Sequence, residues 1–176
     1  MRLKLKLPQL QITKKPTIEI CAIIISLLAL FTTTHQSYLT RIHNFKSVEP
    51  RINAYRTLDE NYRIVIFNNG LGPAFIEDIT YFVKGKKIKS TTIVPALTQL
   101  GIDSMCYKFG APRRGDSFKT QEEIDLVKFR NDEKCAIAKT IFSFLSPEDL
   151  DLEIEFKSIY DEQFVYRYSL NKQTPI

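Results

Sequence analysis

The sequence predicts a mainly β fold: an antiparallel β-sandwich or barrel-like domain with one or two short helices, preceded by an N-terminal transmembrane helix. Three observations predict it. An uncharged apolar run lies near the N-terminus, several later segments alternate apolar with polar residues, and Gly, Pro and Asn clusters separate those segments. A chain of 176 residues has room for an anchor and one domain with its own core.

The transmembrane anchor is predicted over residues 17–34. Pro16 and Thr17 precede the uncharged run 20–31, and Pro is favoured in the first turn of a helix. The 18 residues lie near the lower limit for crossing a bilayer. The predicted anchor residues are Ile20, Ile23, Ile24, Ile25, Leu27, Leu28, Leu30 and Phe31. A cleaved signal peptide and a buried core helix are the alternatives, but no small-residue cleavage site follows Leu30.

The charge distribution predicts the orientation of this anchor. Residues 1–16 form a basic tail that holds five Lys/Arg, whereas residues 35–176 hold twenty Lys/Arg against nineteen acids. The basic side of an anchor stays in the cytoplasm. We therefore expect a cytoplasmic N-terminus and an extracytoplasmic C-terminal domain. The nearly neutral domain argues against nucleic-acid binding.

Residues 35–47 are predicted as a juxtamembrane helix or linker. Tyr38, Leu39, Ile42 and Phe45 form a helical stripe, which suits packing on the protein's own domain, on the membrane or on a second helix. The only two histidines, His35 and His43, have no converging ligands between them. No metal site is expected.

The β-domain is predicted over residues 48–172. Its first strands are expected at 61–68 and 75–83, and the structural turn between them contains Asn69, Gly70, Gly72 and Pro73. A tight turn is expected at 84–87. Further strands are predicted at 104–109, within 117–129, at 151–158 and in a last segment with Phe164, Tyr166, Tyr168 and Leu170 facing inward.

Two helical segments interrupt these strands. Residues 95–100 are predicted as a short helix that begins at Pro95 and ends at Gly101. Residues 133–145 are predicted as a second helix, with Ile137, Ile141, Phe144 and Leu145 on one face. Residues 146–149 are expected to cap a further helical turn.

Cys106 and Cys135 are the only cysteines in the predicted domain, and an extracytoplasmic location permits a disulfide between them. Two free buried thiols are the alternative, because spacing alone does not give the distance between the Cα atoms.

The domain lacks the residue patterns of common catalytic sites. No CxxC, HExxH or phosphate-binding loop occurs, and no histidine remains for a catalytic triad. We therefore expect no enzymatic activity, no cofactor and no metal.

Two stretches resemble a group of uncharacterised bacterial membrane proteins. Asn68-Asn69-Gly70-Leu71-Gly72-Pro73-Ala74 fits an N-x-G-x-GPA-like turn pattern, and Lys157-Ser158-Ile159-Tyr160-Asp161-Glu162 is similar to a later stretch of the same proteins. These are single-pass proteins with an extracytoplasmic β-sandwich-like domain. The resemblance implies a bacterial envelope location and transfers no binding residues.

The sequence favours a membrane-anchored, non-enzymatic envelope module that binds a protein partner, or a second copy of itself, through its β-domain. One alternative is a lipid- or glycolipid-handling periplasmic domain, suggested by the many Phe and Tyr residues. Another is an accessory subunit of a secretion or conjugation assembly.

Overall fold

A computed structural model describes residues 16–58 and 62–176. The predicted basic tail, 1–16, lies outside the described residues apart from the backbone of Pro16. The chain divides into two compact units, Met1–His43 and Asn44–Ile176. The second unit is the β-domain, which begins four residues earlier than expected and includes the last four residues of the chain.

One helix, α1, spans Pro16–Ser47 and contains both the predicted anchor and the predicted juxtamembrane helix. Its Thr17–Ser47 portion is long and apolar enough to cross a membrane. The eight predicted anchor side chains are 51% to 69% exposed. Ser26 and Thr33 donate their hydroxyls to carbonyl oxygens four residues earlier, at 2.8 and 2.7 Å, as does Thr34 at 2.8 Å. The helix thus satisfies its own hydroxyls, as a lipid environment requires.

The domain contains short strands and few helices, as predicted. The two α-helices are α2 Val94–Gln99 and α3 Ala136–Phe144, and 3-10 helices occupy Ser104–Cys106 and Glu133–Cys135. The strands in the described residues are β1 Ile52–Thr57, β2 Arg63–Asn68, β3 Ala74–Val83, β4 Lys86–Ile88, β5 Tyr107–Phe109, β6 Ser117–Phe118, β7 Glu123–Phe129, β8 Leu150–Lys157, β9 Gln163–Arg167 and β10 Lys172–Pro175.

These strands form two antiparallel sheets. One has the order β1-β2-β7-β5, and the other has the order β10-β9-β8-β3-β4 with β6 also paired to β3. A single apolar core receives side chains from both sheets, including Ile64 and Ile66 from β2 and Ile154 and Phe156 from β8. The predicted fold class, a mainly β antiparallel domain after a long apolar helix, is confirmed.

One edge of the sandwich is closed by side chains. The edge strand β1 donates the Ala54 N–H to the Tyr166 hydroxyl at 3.0 Å and the Ile52 N–H to the Gln173 side-chain oxygen at 3.2 Å. Tyr166 and Gln173 come from the opposite sheet. They satisfy backbone groups that would otherwise offer an exposed edge for pairing with another chain.

Several local predictions are corrected. The residues predicted as one final strand form β9, a turn and β10, so Leu170 lies in the turn and is 69% exposed. Residues 146–149 form a turn and begin no helix. Asp151 alternates outward as expected but is buried, because the Arg167 guanidinium and the Ser169 backbone and hydroxyl bind its carboxylate.

Candidate docking site

The predicted structural turn holds the segment that follows α1. Asn68 is fully buried, and its amide donates to the carbonyl oxygens of Gly72 at 2.8 Å and Phe118 at 3.1 Å. Its side-chain oxygen accepts from the backbone N–H of Arg51 at 3.1 Å. Asn69 adds a backbone bond to the Arg51 carbonyl at 2.7 Å. The turn therefore acts as a structural clamp on residues 48–51.

Two glycines of this turn are required by close approach of the backbone. A Cβ at Gly72 would lie 1.8 Å from the Val48 carbonyl oxygen, and one at Gly70 would lie 2.3 Å from the Arg51 nitrogen. No side chain fits at those distances. Pro73 follows directly and leads into β3. Packing against residues 48–51 thus explains the glycines without any ligand.

The second resemblance stretch contacts the same region of the domain. The Tyr160 ring packs on the Phe45 ring, with centroids 4.3 Å apart. The Ser158 hydroxyl accepts the backbone N–H groups of Tyr160 and Glu162 and so shapes this turn. Both stretches therefore stabilise the first residues of the domain.

Cys106 and Cys135 form a disulfide in the structure, with Cα atoms 5.3 Å apart. Both residues are buried, and they join the two 3-10 helices that precede β5 and α3. The bridge holds the N-terminal end of α3 against the edge of the four-stranded sheet. Cys21, in contrast, is a free thiol on α1.

The C-terminal end of α3 is held by Arg56 of β1. Its guanidinium donates to the carbonyl oxygens of Phe142, at 3.1 Å, and Leu145, and it also lies over the Phe142 ring. A cation at the C-terminal end of a helix stabilises it, because the helix dipole is negative there. Phe142 itself is buried and packs on Phe129, with ring centroids 4.7 Å apart. Helix α3 is therefore fixed at both ends and along its inner face.

The outer face of α3 is apolar. Phe144 is 83% exposed and Ile137 is 76% exposed, with the half-buried Ile141 between them at helical spacing. Exposed single apolar residues are common, but a contiguous ridge of them marks an interaction surface. We call Ile137, Ile141 and Phe144 the α3 ridge.

An open cleft of about 550 Å³ runs beside the ridge. Its apolar lining comes from β3, the end of α2, and α3, and four side chains supply its polar lining. The lining residues are Val83, Lys84, Gln99, Leu100, Thr140, Ile141, Phe144, Leu145 and Asp149. An apolar floor with a few polar groups is typical of a binding cleft.

The charged groups in this cleft are Lys84 and Asp149. The hydrogen bonds that Ser146 donates through its backbone and hydroxyl lower the pKa of the Asp149 carboxyl, and the nearby Lys84 ammonium lowers it further. Asp149 is therefore ionised at neutral pH. Lys84 forms no ion pair within 4.0 Å among the residues that the structure describes, and it acts on Asp149 only at longer range.

No protein-family model, curated protein or solved structure matches the chain. The resemblance to single-pass bacterial membrane proteins therefore stays a prediction. In the described part of the chain, no group of three or more His, Cys, Asp or Glu side chains could hold a metal ion.

The sequence placed the ridge residues on one face of a helix but gave no sign that this face would be exposed. The structure turns Ala138 and Phe142 toward the core instead. Lys84 and Leu100, predicted only as a turn residue and a helix end, contribute to the cleft through packing that the sequence pattern does not encode.

Proposed function

We propose that this chain is a membrane-anchored binding module that docks a protein partner on the α3 ridge and in the adjoining cleft. One observation carries the proposal: three large apolar side chains lie in a row on a helix whose two ends are fixed by a disulfide and an arginine. A surface held in place before binding loses little conformational entropy when a partner arrives.

The proposed setting is a bacterial inner membrane, with the N-terminus in the cytoplasm and the domain outside it. The five basic residues before the anchor support this orientation. The Cys106–Cys135 disulfide supports an oxidising compartment for the domain. In this setting, α1 keeps the module at the membrane while the ridge selects the partner.

A protein is favoured over a lipid as the occupant of the cleft. The lipid-handling alternative calls for an apolar groove between the sheets, whereas this cleft is bounded by α2, α3 and the end of β3. A role as an accessory subunit in a secretion or conjugation assembly is one form that such partner binding could take.

Site-specific photo-crosslinking tests the proposal. A photoreactive phenylalanine analogue replaces Phe144 in the full-length chain, in the cell that produces it. We expect a discrete adduct of higher mass, whose formation falls at least about fivefold when Ile137→Asp is added, since a charge on the ridge opposes burial. The same analogue at Lys172, an exposed residue of β10, is the matched control.

Each outcome bears on the proposal. Mass spectrometry of the adduct distinguishes a different protein from a second copy of the chain. An adduct of similar yield at positions 144 and 172, or none at position 144, would show that the ridge docks no protein.

A further inference from the structure

The charged residues around the cleft indicate which kind of polypeptide segment it binds. This inference rests on the docking function proposed above. Lys84 lines the cleft directly. The β3–β4 hairpin that follows adds Lys86, Lys87 and Lys89, so four exposed lysines lie within six residues. Lys86 is paired in register with Val83, another lining residue, and their side chains share one face of the sheet.

Lys84 and two residues of the ridge line the same cleft. Val83 and Lys84 form the β3 side, and Ile141 and Phe144 form the α3 side. Asp149 is the acidic residue in the lining, and it is already hydrogen-bonded to Ser146. Neither Lys84 nor Lys86 forms an ion pair within 4.0 Å among the described residues, although Lys84 acts on Asp149 at longer range.

We infer that the cleft binds a polypeptide segment that combines apolar anchor side chains with neighbouring carboxylates. The anchors pack against Leu100, Ile141 and Phe144, and the carboxylates lie beside Lys84 and Lys86. Apolar burial supplies most of the affinity of such a complex, and the lysines supply its charge selectivity.

The size of the cleft agrees with this occupant. At about 550 Å³ it is large enough for a few apolar side chains and is open to solvent along the ridge. An amphipathic helix or a short extended segment presents side chains in that arrangement. The exposed lysines of a hairpin edge also discourage strand pairing, so the edge of β4 is not itself the docking element.

Three fluorescent synthetic peptides test the inference. The first is an amphipathic peptide with Leu and Phe on one face and Asp and Glu on the other. The second carries Lys in place of every acid, and the third carries Ser in place of every Leu and Phe. Anisotropy measures their binding to the full-length chain in nanodiscs of neutral phosphatidylcholine.

We expect the acidic apolar peptide to bind about tenfold more tightly than either of the other two. Lys84→Glu combined with Lys86→Glu should remove its preference over the basic peptide, and Lys84→Glu alone should weaken it. Lys172→Glu, a single charge reversal on β10, should leave it intact and is the control for the single variant. Raising the salt concentration from about 50 mM to about 500 mM should shrink the preference, because the lysines are exposed and screened.

Other results overturn the inference in distinguishable ways. Equal binding of the acidic and basic peptides, lost in Phe144→Asp, overturns the charge preference and leaves the docking function standing. Binding of none of the peptides overturns the inference, while the crosslink at position 144 decides the docking function separately. Capture of phosphatidylglycerol vesicles that depends on Phe144, without peptide binding, identifies a membrane surface as the occupant and also overturns it.

Discussion

Two buried tyrosines of the sandwich differ in what their hydroxyls contact. Tyr166 binds the Ala54 N–H at 3.0 Å and the Asn171 side-chain oxygen at 3.0 Å. The Tyr81 hydroxyl is equally buried, but it has no hydrogen-bond partner in the part of the chain that the structure describes. A buried polar group without a partner costs free energy, whereas a paired one stabilises the fold.

Substitution by phenylalanine should therefore have opposite effects at the two positions. Tyr81→Phe should leave the free energy of unfolding unchanged or raise it by up to about 1 kcal/mol, since it removes only an unpaired hydroxyl. Tyr166→Phe should lower it by about 1–2 kcal/mol, because the Ala54 N–H loses its partner. Urea unfolding followed by circular dichroism measures both, and a larger loss for Tyr81→Phe would contradict the assignment.

Tyr81 also makes the free energy of unfolding depend on pH, in a direction that its pKa shift determines. Burial raises the pKa of Tyr81 above its ordinary value of 10.0. Above pH 10 the unfolded state loses this proton while the folded state keeps it, so stability falls as the pH rises. The advantage of Tyr81→Phe should therefore widen above pH 10, by up to about 1.4 kcal/mol per pH unit.

The sequence predicted correctly which side chains face the core where apolar and polar residues alternate along a strand. It did not predict the burial of side chains that are covered by a residue from another strand. The alternation of residues 151–158 gave the inward side chains of β8 correctly. It could not show that Arg167 would cover Asp151, or that this guanidinium would also lie over the Phe82 ring, with 4.2 Å between its carbon and the ring centroid. The Asp151 contact crosses the β8–β9 pair and the Phe82 contact joins β9 to β3, so neither follows from the alternation of one segment.

At the level of elements, the disulfide and Arg56 decide whether α3 stays in place. A helix of nine residues is too short to be stable alone in water. Its inner face contributes Ala138 and Phe142 to the core, whereas Ile137 and Phe144 on its outer face are exposed and Ile141 is only half-buried. The disulfide therefore stabilises the very element that carries the ridge.

Removal of the bridge should destabilise the domain and loosen α3 first. The cysteines are 29 residues apart. In the chain-entropy model, a crosslink that closes a loop of that size raises the free energy of unfolding by about 3 kcal/mol. We expect a loss of that order for the double variant Cys106→Ser, Cys135→Ser, measured by urea unfolding. Hydrogen exchange at residues 136–144 should accelerate more than exchange in β8.

A reductant provides the control for this experiment. It should destabilise the native chain to the level of the double variant and leave the variant itself unchanged, since Cys21 is already a free thiol. A change below about 0.5 kcal/mol in both cases would mean that Arg56 and Phe142 hold α3 without the bridge.

The sequence predicted the strongly patterned elements and missed three edge strands, β1, β4 and β10. The segments that became β2 and β3 are rich in β-branched and aromatic residues, and the segment that became β8 alternates apolar with charged residues. The edge strands β4 and β10 have three and four residues with little apolar content, so no periodic signal marks them. Likewise, a helical apolar stripe has the same sequence pattern whether it packs in a core or lies exposed on the surface. Only the packing of α3 in the structure distinguishes these two cases.

For the whole molecule, the apolar helix and the domain have different solvent requirements. The side chains of α1 from Ile18 to Phe31 are exposed, which is unfavourable in water and favourable in lipid. Each large apolar residue favours insertion by roughly 0.3–0.6 kcal/mol, so the eight anchor residues together outweigh Glu19 near the helix end. The domain, with its charged exterior and satisfied edge, requires water.

These requirements lead to a prediction about topology that two opposite reporters can test. The full-length chain should remain in the membrane fraction after alkaline carbonate extraction. Alkaline phosphatase fused to Ile176 should be active, since it folds only outside the cytoplasm, and a green fluorescent protein at the same position should stay dark. Replacement of the five basic residues before the anchor with Asp should weaken the phosphatase signal, because these charges retain the N-terminus in the cytoplasm.

The mass of the extracted chain separates the remaining alternatives. An intact N-terminus in the membrane fraction identifies an uncleaved anchor, and a shorter, released chain with an active phosphatase identifies a cleaved signal peptide. A full-length chain in the soluble fraction with a fluorescent C-terminus would mean that the apolar face of α1 is covered by protein. In that case the ridge of α3 would need a cytoplasmic partner, and the disulfide would be reduced in the cell.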